Sequence, residues 1–247
     1  VENASLVGLS RQVVLRRELD VIANNVANMN TTGFKAEQMV FSEFMMPNAR
    51  DGTFPTQDQK LSFVQQRGTW HSFAPGDVEA TGGAMDFAID GEGFFVVETE
   101  AGERYTRSGA FGVNASGQLV TANGERLLST AGPIQLAPNE TGLTIGRDGT
   151  IATSEGVRGR LRLVSFADPR AVHKIGANLY ATTEDPKDAP ATTAVVQGAV
   201  EKSNVKPIVE MSRLIEVNRA YTSISGILDA QNDIRRSAIE KLAEVPA

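Results

Sequence analysis

Apolar positions recur at helical spacing at both ends of the chain and alternate in its middle. Leu15, Leu19, Ile22, Val26 and Met29 follow one another at spacings of four and three. That spacing lays them in a heptad-like seam on one helix face, and the pattern predicts a helix from Leu6 to Met29. Leu214, Val217, Tyr221, Ile224 and Leu228 repeat it and predict a second helix from Ile208 to Leu242. At about 1.5 Å per residue the two would be roughly 36 and 50 Å long. Helices of that length with one apolar face each bury little as a lone pair. They are therefore expected to be poorly ordered in the monomer and to order on assembly. Two matched stripes need partners, which they can find in each other and in neighbouring copies. Asn28, Asn30 and Gly33 tolerate left-handed backbone and stop the first helix. Pro207 suits the first turn of the second, where its missing N–H is not needed.

Between the helices the period falls to two. Phe94 to Thr99 reads as a strand bounded by Asp90-Gly91-Glu92-Gly93. Asn114-Ala115-Ser116-Gly117, Ala122-Asn123-Gly124 and Arg147-Asp148-Gly149 are hairpin signals. Arg160 to Phe166 alternates as one further strand. Turns at this density predict a compact all-β region from Gly82 to about Tyr180. Before it, Phe41, Phe44, Met45 and Met46 form a short apolar cluster, residues 47–52 are turn material, and Leu61 to Val64 and Thr69 to Phe73 read as short strands. Residues 181–200, with Asp185-Pro186 and Ala189-Pro190, read as a return linker. The fold class expected is α+β, with long terminal helices pairing as a coiled-coil-like inner domain around a central all-β domain. The divisions are 1–34 (helix), 35–80 (extended connector with a hairpin), 81–190 (β domain), 191–205 (return linker) and 206–247 (helix).

Charge sharpens this division. The net charge of −6 argues against a nucleic-acid binder. Residues 1–37 carry four basic and four acidic side chains and residues 201–247 carry seven of each, so the whole excess lies in the middle. Charge-balanced helices can pack many times over without accumulating repulsion, and an acidic middle suits an outward face. A hydrophobic content of 41% is enough for a core. There is no cysteine, which removes disulfides as a staple and is compatible both with chance and with passage unfolded through an export channel. Charged residues interrupt the first thirty positions, so no apolar signal segment is expected, and no apolar run is long enough for a membrane span.

Catalytic chemistry finds little footing. His71 and His173 stand about a hundred residues apart, outside any motif, and are expected on strand or loop surfaces. There is no cysteine nucleophile, no G-x-S-x-G and no H-E-x-x-H. Gly91-x-Gly93 lacks the third glycine of a dinucleotide loop, and Asp86, Asp90 and Glu92 fall short of a calcium loop. No cofactor or metal is expected. A wall-modifying hydrolase and a β-domain adhesin are the rival classes. Trp70, Phe73 and Tyr105 could form an adhesive aromatic patch but are read as core, and an adhesin has no need of two matched terminal stripes.

The run from Leu19 to Lys35, with its Asn24-Asn25-Val26-Ala27-Asn28 core and its Thr31-Thr32-Gly33-Phe34 close, resembles the N-terminal signature of the flagellar rod and hook family. Ser203-Asn204-Val205, Pro207, Glu210-Met211, Leu214-Ile215 and Arg219-Ala220-Tyr221 are similar to that family's other end. Asp90 to Phe95 and Tyr105 to Phe111 are similar to its β domain. The opening Glu2 to Ser10 looks most like proximal-rod members, with distal-rod members as the alternative. The resemblance implies a structural subunit exported without a cleaved signal, which polymerises in the periplasm-spanning rod of the basal body. Its terminal helices would form the inner tube of a drive shaft and its β domain would lie outside. The implied partners are copies of itself, other rod proteins, the axially adjacent distal rod protein and the surrounding ring proteins, with neither nucleic acid nor membrane insertion. The implied interface residues are Leu15, Leu19, Ile22, Asn24, Asn25, Val26 and Asn28, with Met211, Leu214, Val217, Tyr221, Ile224 and Leu228. For the three asparagines, amides that fix register between neighbours and amides that merely cap a helix end both remain open.

Overall fold

The computed structural model describes residues 2–46, 61–137, 140 and 142–243. A helix, α1, spans Glu2–Ala27, and another, α2, spans Pro207–Ala243. Between them, among the described residues, the regular elements are strands apart from one 3-10 turn at Pro169–Ala171, so the architecture is α+β. Helix α1 stops short of Met29 because the chain turns on itself. Thr31 N donates to Asn28 O at 3.1 Å and Phe34 N to Thr31 O at 3.2 Å. Gly33 then takes φ 66°, a left-handed conformation that costs a residue without a Cβ little.

The chain forms two compact units. One holds residues 1–26, 37–70 and 207–247, the other residues 27–36 and 71–206. In the first, the helices accompany strands Glu37–Met46 and Leu61–His71, which pair as a two-stranded sheet. The turn expected at 47–52 lies outside the described residues, as do the side chains of Phe44, Met45 and Met46.

In the second unit the strand Phe94–Thr99 is the axis of the largest sheet. It pairs antiparallel with Gly102–Thr106 on one side, with Val97 opposite Arg104, and with Arg126–Ser129 on the other, with Val97 opposite Leu127. Successive side chains point to opposite faces, and here both faces are covered. Phe95 and Val97 enter one apolar cluster with Phe87, Leu119, Leu127 and Ile151. Phe94 and Val96 enter another with Tyr105, Leu128, Val164 and Tyr180. A strand buried on both faces reads as a continuous apolar run, which is why Phe94-Phe95-Val96-Val97 is so prominent in the sequence.

Three expectations change. Arg160 to Phe166 is not one strand. Gly156–Arg160 pairs with Thr150–Thr153, and Leu163–Ser165 pairs with Phe94–Thr99. At the break, Leu161 N donates to Gly149 O at 2.8 Å and Arg162 N to Leu128 O at 3.2 Å. The chain changes sheets there while the alternation continues through the change. The return linker contributes two strands: Ala194–Gln197 pairs with Phe87–Asp90, and Ala199–Glu201 with Val78–Ala80. These strands are short and rich in small residues, too weak a signal to separate from loop. His71 is not on the surface. It is buried at 6% exposure, with its ring edge-on to Tyr180 at 5.5 Å. His173 is exposed. Tyr105 is core and Phe73 packs against the same cluster.

Candidate assembly interface

The seam residues of the two helices meet within the chain. Leu15, Ile22 and Val217 are buried together, and Leu19, Val26, Leu214, Ala220, Tyr221 and Ile224 pack around them. Polar contacts give the direction of the pairing. Ser5 Oγ donates to Gln231 Oε1 at 3.1 Å, and Arg213 reaches Glu18 Oε1 through Nε at 3.1 Å and Nη2 at 2.8 Å. Low numbers on α1 face high numbers on α2, so the helices run antiparallel along this face. Gly8 admits Leu228: a Cβ there would lie 2.9 Å from Leu228 Cδ2.

Met211 does not join them and is 58% exposed. It belongs to a second stripe, which the seam pattern hid. On α2, its members Ile208, Met211 and Ile215 are all more than half exposed, as are Ile227 and Ile234 on another face farther along. On α1, Leu6 and Leu9 are also more than half exposed, with Val13 close behind at 44%. Leu6, Leu9 and Val13, like Ile208, Met211 and Ile215, are spaced three and then four apart, which keeps each set on one helix face. Each helix thus carries one apolar stripe buried within the chain and one open to solvent.

The asparagines do different things. Asn25 is 1% exposed, and its amide pairs with residue 37 as a strand neighbour would: Nδ2 donates to Glu37 O and Oδ1 accepts from Glu37 N, both at 2.9 Å. Asn24 Nδ2 donates to Glu37 Oε2 at 3.3 Å. These amides tie the end of α1 to the first strand of its own chain. Asn28 accepts from Thr31 Oγ1 at 3.1 Å, the helix-end role.

A polar site that periodicity did not reveal lies within the second unit. Lys35, Glu201 and Arg107 are 0%, 1% and 4% exposed. Glu201 Oε1 accepts from Lys35 Nζ at 2.6 Å and from Gly76 N at 2.8 Å, and Oε2 accepts from Arg107 Nη1 at 3.2 Å. Lys35 Nζ also donates to Ala74 O at 2.8 Å, and Arg107 Nη2 to Gly91 O at 2.9 Å. Two cations share one carboxylate in a buried site. Burial, only partly offset by Glu201, holds Lys35 below its ordinary value and does the same to Arg107. Around them Phe34 packs with Ala36 and Val205. Lys174 Nζ sits 4.2 Å from the Phe34 ring centre. A Cβ on Gly33 would lie 2.3 Å from backbone atoms of Arg107 and Ser108, so this backbone approach requires glycine.

Comparison with known proteins fits this arrangement. The flagella basal body rod protein family model matches residues 6–35. The FlgE/F/G D1 domain model of the flagellar hook protein matches 88–153, and the C-terminal model of the flagellar basal body rod FlgEFG proteins matches 196–241. The basal-body rod protein FlgF of Caulobacter vibrioides is 43% identical, over 99% of this chain and 100% of that protein. The FlgF of Mesorhizobium japonicum is 34% identical, over 98% of each. The FlgG of Bacillus subtilis is 30% identical, over 94% of this chain and 96% of that protein. The chain belongs to the flagellar basal-body rod protein family. It is more like these FlgF proteins than the FlgG protein. It is a structural subunit of the basal-body rod and not an enzyme. The rod-protein models cover both helices and, with them, Lys35 and Glu201, while the central model covers Arg107. No helix among the described residues is long and apolar enough to cross a membrane.

Proposed function

We propose that this rod protein polymerises through the outward stripes of α1 and α2 into the torque-transmitting shaft, as a proximal-rod segment. The observation that carries the reading is the exposed apolar stripe of each helix, Leu6, Leu9 and Val13 on α1 and Ile208, Met211 and Ile215 on α2, with Ile227 and Ile234 exposed on another face of α2. Exposed apolar stripes of this kind mark contact surfaces. The buried seam of Leu15, Leu19, Ile22, Val26, Leu214, Val217, Tyr221, Ile224 and Leu228 then acts as a coiled-coil-like clamp within the subunit. Once the helices order on assembly, the clamp presents the outward stripe in a fixed orientation. Head-to-tail contacts that do not close on themselves generate an open helix. A subunit tied to several neighbours along two long helices transmits load without any one contact being strong. Copies of the same chain and an axially adjacent distal rod protein are the partners such a stripe fits. The acidic surface of the β unit is the one offered to the surrounding ring proteins.

Salt-washed, detergent-purified hook–basal bodies analysed by quantitative mass spectrometry test this. The wild-type chain is expected at fixed stoichiometry with the hook and ring proteins, in the low copy number of a short proximal segment rather than that of a longer distal one. Ile215→Asp, which places a charge in an apolar contact, is expected to be absent from the particles while the protein stays folded in solution. Normal retention of Ile215→Asp would remove the outward stripe from the assembly.

A further inference from the structure

The buried cluster of Lys35, Glu201 and Arg107 lies outside the large sheet: Glu201 ends the short strand Ala199–Glu201, opposite Val78, and the Arg107 guanidinium lies 5.5 Å from the Phe94 ring centre. Apolar side chains of similar volume fill such a site at less cost, because burying charge carries a desolvation penalty that pairing only partly returns. What a charged cluster adds is directional bonding, and here every bond ends on a different stretch of chain. Glu201 holds residue 35 and residue 76 through its carboxylate and residue 33 through its backbone, with Gly33 N donating to Glu201 O at 2.7 Å. Three residues on, Asn204 Oδ1 accepts from Ala36 N at 2.8 Å, and its Nδ2 donates to Ser72 O at 2.7 Å and Ala74 O at 2.9 Å. Asn178 Nδ2 adds a bond to Thr32 O at 3.2 Å. The chain that has just left α1, residues 31–36, and the chain about to enter α2, residues 201–205, are thus fastened side by side.

We propose that this cluster is a latch, with Glu201 as its positioning residue, which holds residues 31–36 beside residues 201–205 and opens separately from the large sheet around Phe94–Thr99. The role in assembly rests on the reading that the helices carry the rod contacts. Opening the latch exposes one carboxylate, two cations and the small apolar group of Phe34, Ala36 and Val205, whereas opening the sheets exposes two much larger apolar clusters. A local opening that leaves the sheets intact is therefore the cheaper event.

Hydrogen exchange on the full-length monomer tests the latch directly. In the wild type, the amides of Gly33, Ala36 and Gly76 are expected to exchange together, and faster than those of the strand Phe94–Thr99. Glu201→Gln, which strands two buried cations, is expected to speed those three by about tenfold or more and leave the strand unchanged. Lys35→Met, which keeps the Arg107–Glu201 pair, is expected to act in the same direction but less. Exchange of the three amides in step with the strand, in the wild type or in either variant, would make the cluster ordinary β core and overturn the proposal. Should Glu201→Gln fail to fold, the wild type and Lys35→Met still decide it. In purified basal bodies, Glu201→Gln is expected to be retained several-fold less than wild type. Full retention of Glu201→Gln alongside loss of Ile215→Asp would overturn the latch's role in assembly. Full retention of Ile215→Asp would instead overturn the helix reading on which that role rests.

Discussion

The β unit completes its own burial, and the helical unit leaves part of it undone. In the β unit a central strand sends Phe95 and Val97 into one cluster and Phe94 and Val96 into another, none more than 6% exposed. The large apolar residues it does expose, Val113, Val157 and Ile175 among them, are scattered, as on any soluble surface. In the helical unit Leu15, Ile22 and Val217 are as buried as any core residue. Yet Ile208, Met211, Ile215, Ile227 and Ile234 stay more than half exposed on one long helix. Geometry explains the difference. A sheet with cover on both faces has no third face to expose, whereas a helix pair buries one stripe of each cylinder and leaves the remaining circumference free. An element meant to join many copies is therefore better made of helices, and an element meant to stand alone is better made of covered sheet.

The comparison breaks most visibly in the β core. Phe95→Ala, at a site with 0% exposure, is expected to cost about 3–5 kcal/mol in a urea titration followed by circular dichroism, and rod incorporation should vanish with the fold. In the helical unit, Leu19→Asp or Leu214→Asp should abolish incorporation while the β unit keeps its unfolding midpoint. Loss of the β transition in either variant would show that the two units do not fold separately. In the free monomer, amides of α1 and α2 are expected to exchange faster than those of the strand Phe94–Thr99, and equal protection would contradict the idea that the helices order on assembly.

A smaller effect comes from pH. Lys35 is held below its ordinary 10.5 by burial. Between its native value and 10.5, the unfolded chain keeps a proton that the folded chain has lost. Stability from this group therefore rises with pH across that window, and the penalty of the buried charge is fully present below it. Tyr105, raised above 10.0 by burial, acts with the opposite sign at the alkaline end. The difference between wild type and Lys35→Met isolates the lysine, and the wild type should gain relative to the variant as pH climbs. The smallest change in stability is expected at an exposed isoleucine of α2. Ile234→Ser, at a position 69% exposed, should lie within about 0.5 kcal/mol of wild type and still lower incorporation. That pairing of a silent melt with a defective rod would separate a contact surface from a core.

The order of helix, β region and helix was legible in the sequence because periodicity is local. Spacings of three and four, or strict alternation, declare an element without reference to anything distant. The turns at Gly117, Gly124 and Gly149 were legible for the same reason, each taking a positive φ that its neighbours' composition advertised. Which apolar stripe would be consumed within the chain was not legible. Leu6, Leu9 and Val13 have helical spacing as good as that of the seam from Leu15 to Val26, and only the docking of α2 chose between them. Nor was the fate of Lys35. It meets Glu201 across a separation of 166 residues, and a lysine after Gly33-Phe34 reads as solvent-facing until a carboxylate, a second cation and two carbonyls close around the pair. The sequence determined the elements because their signals are short-range. The tertiary structure decided burial and pairing because those depend on which distant surface arrives, and that is a property of the whole fold.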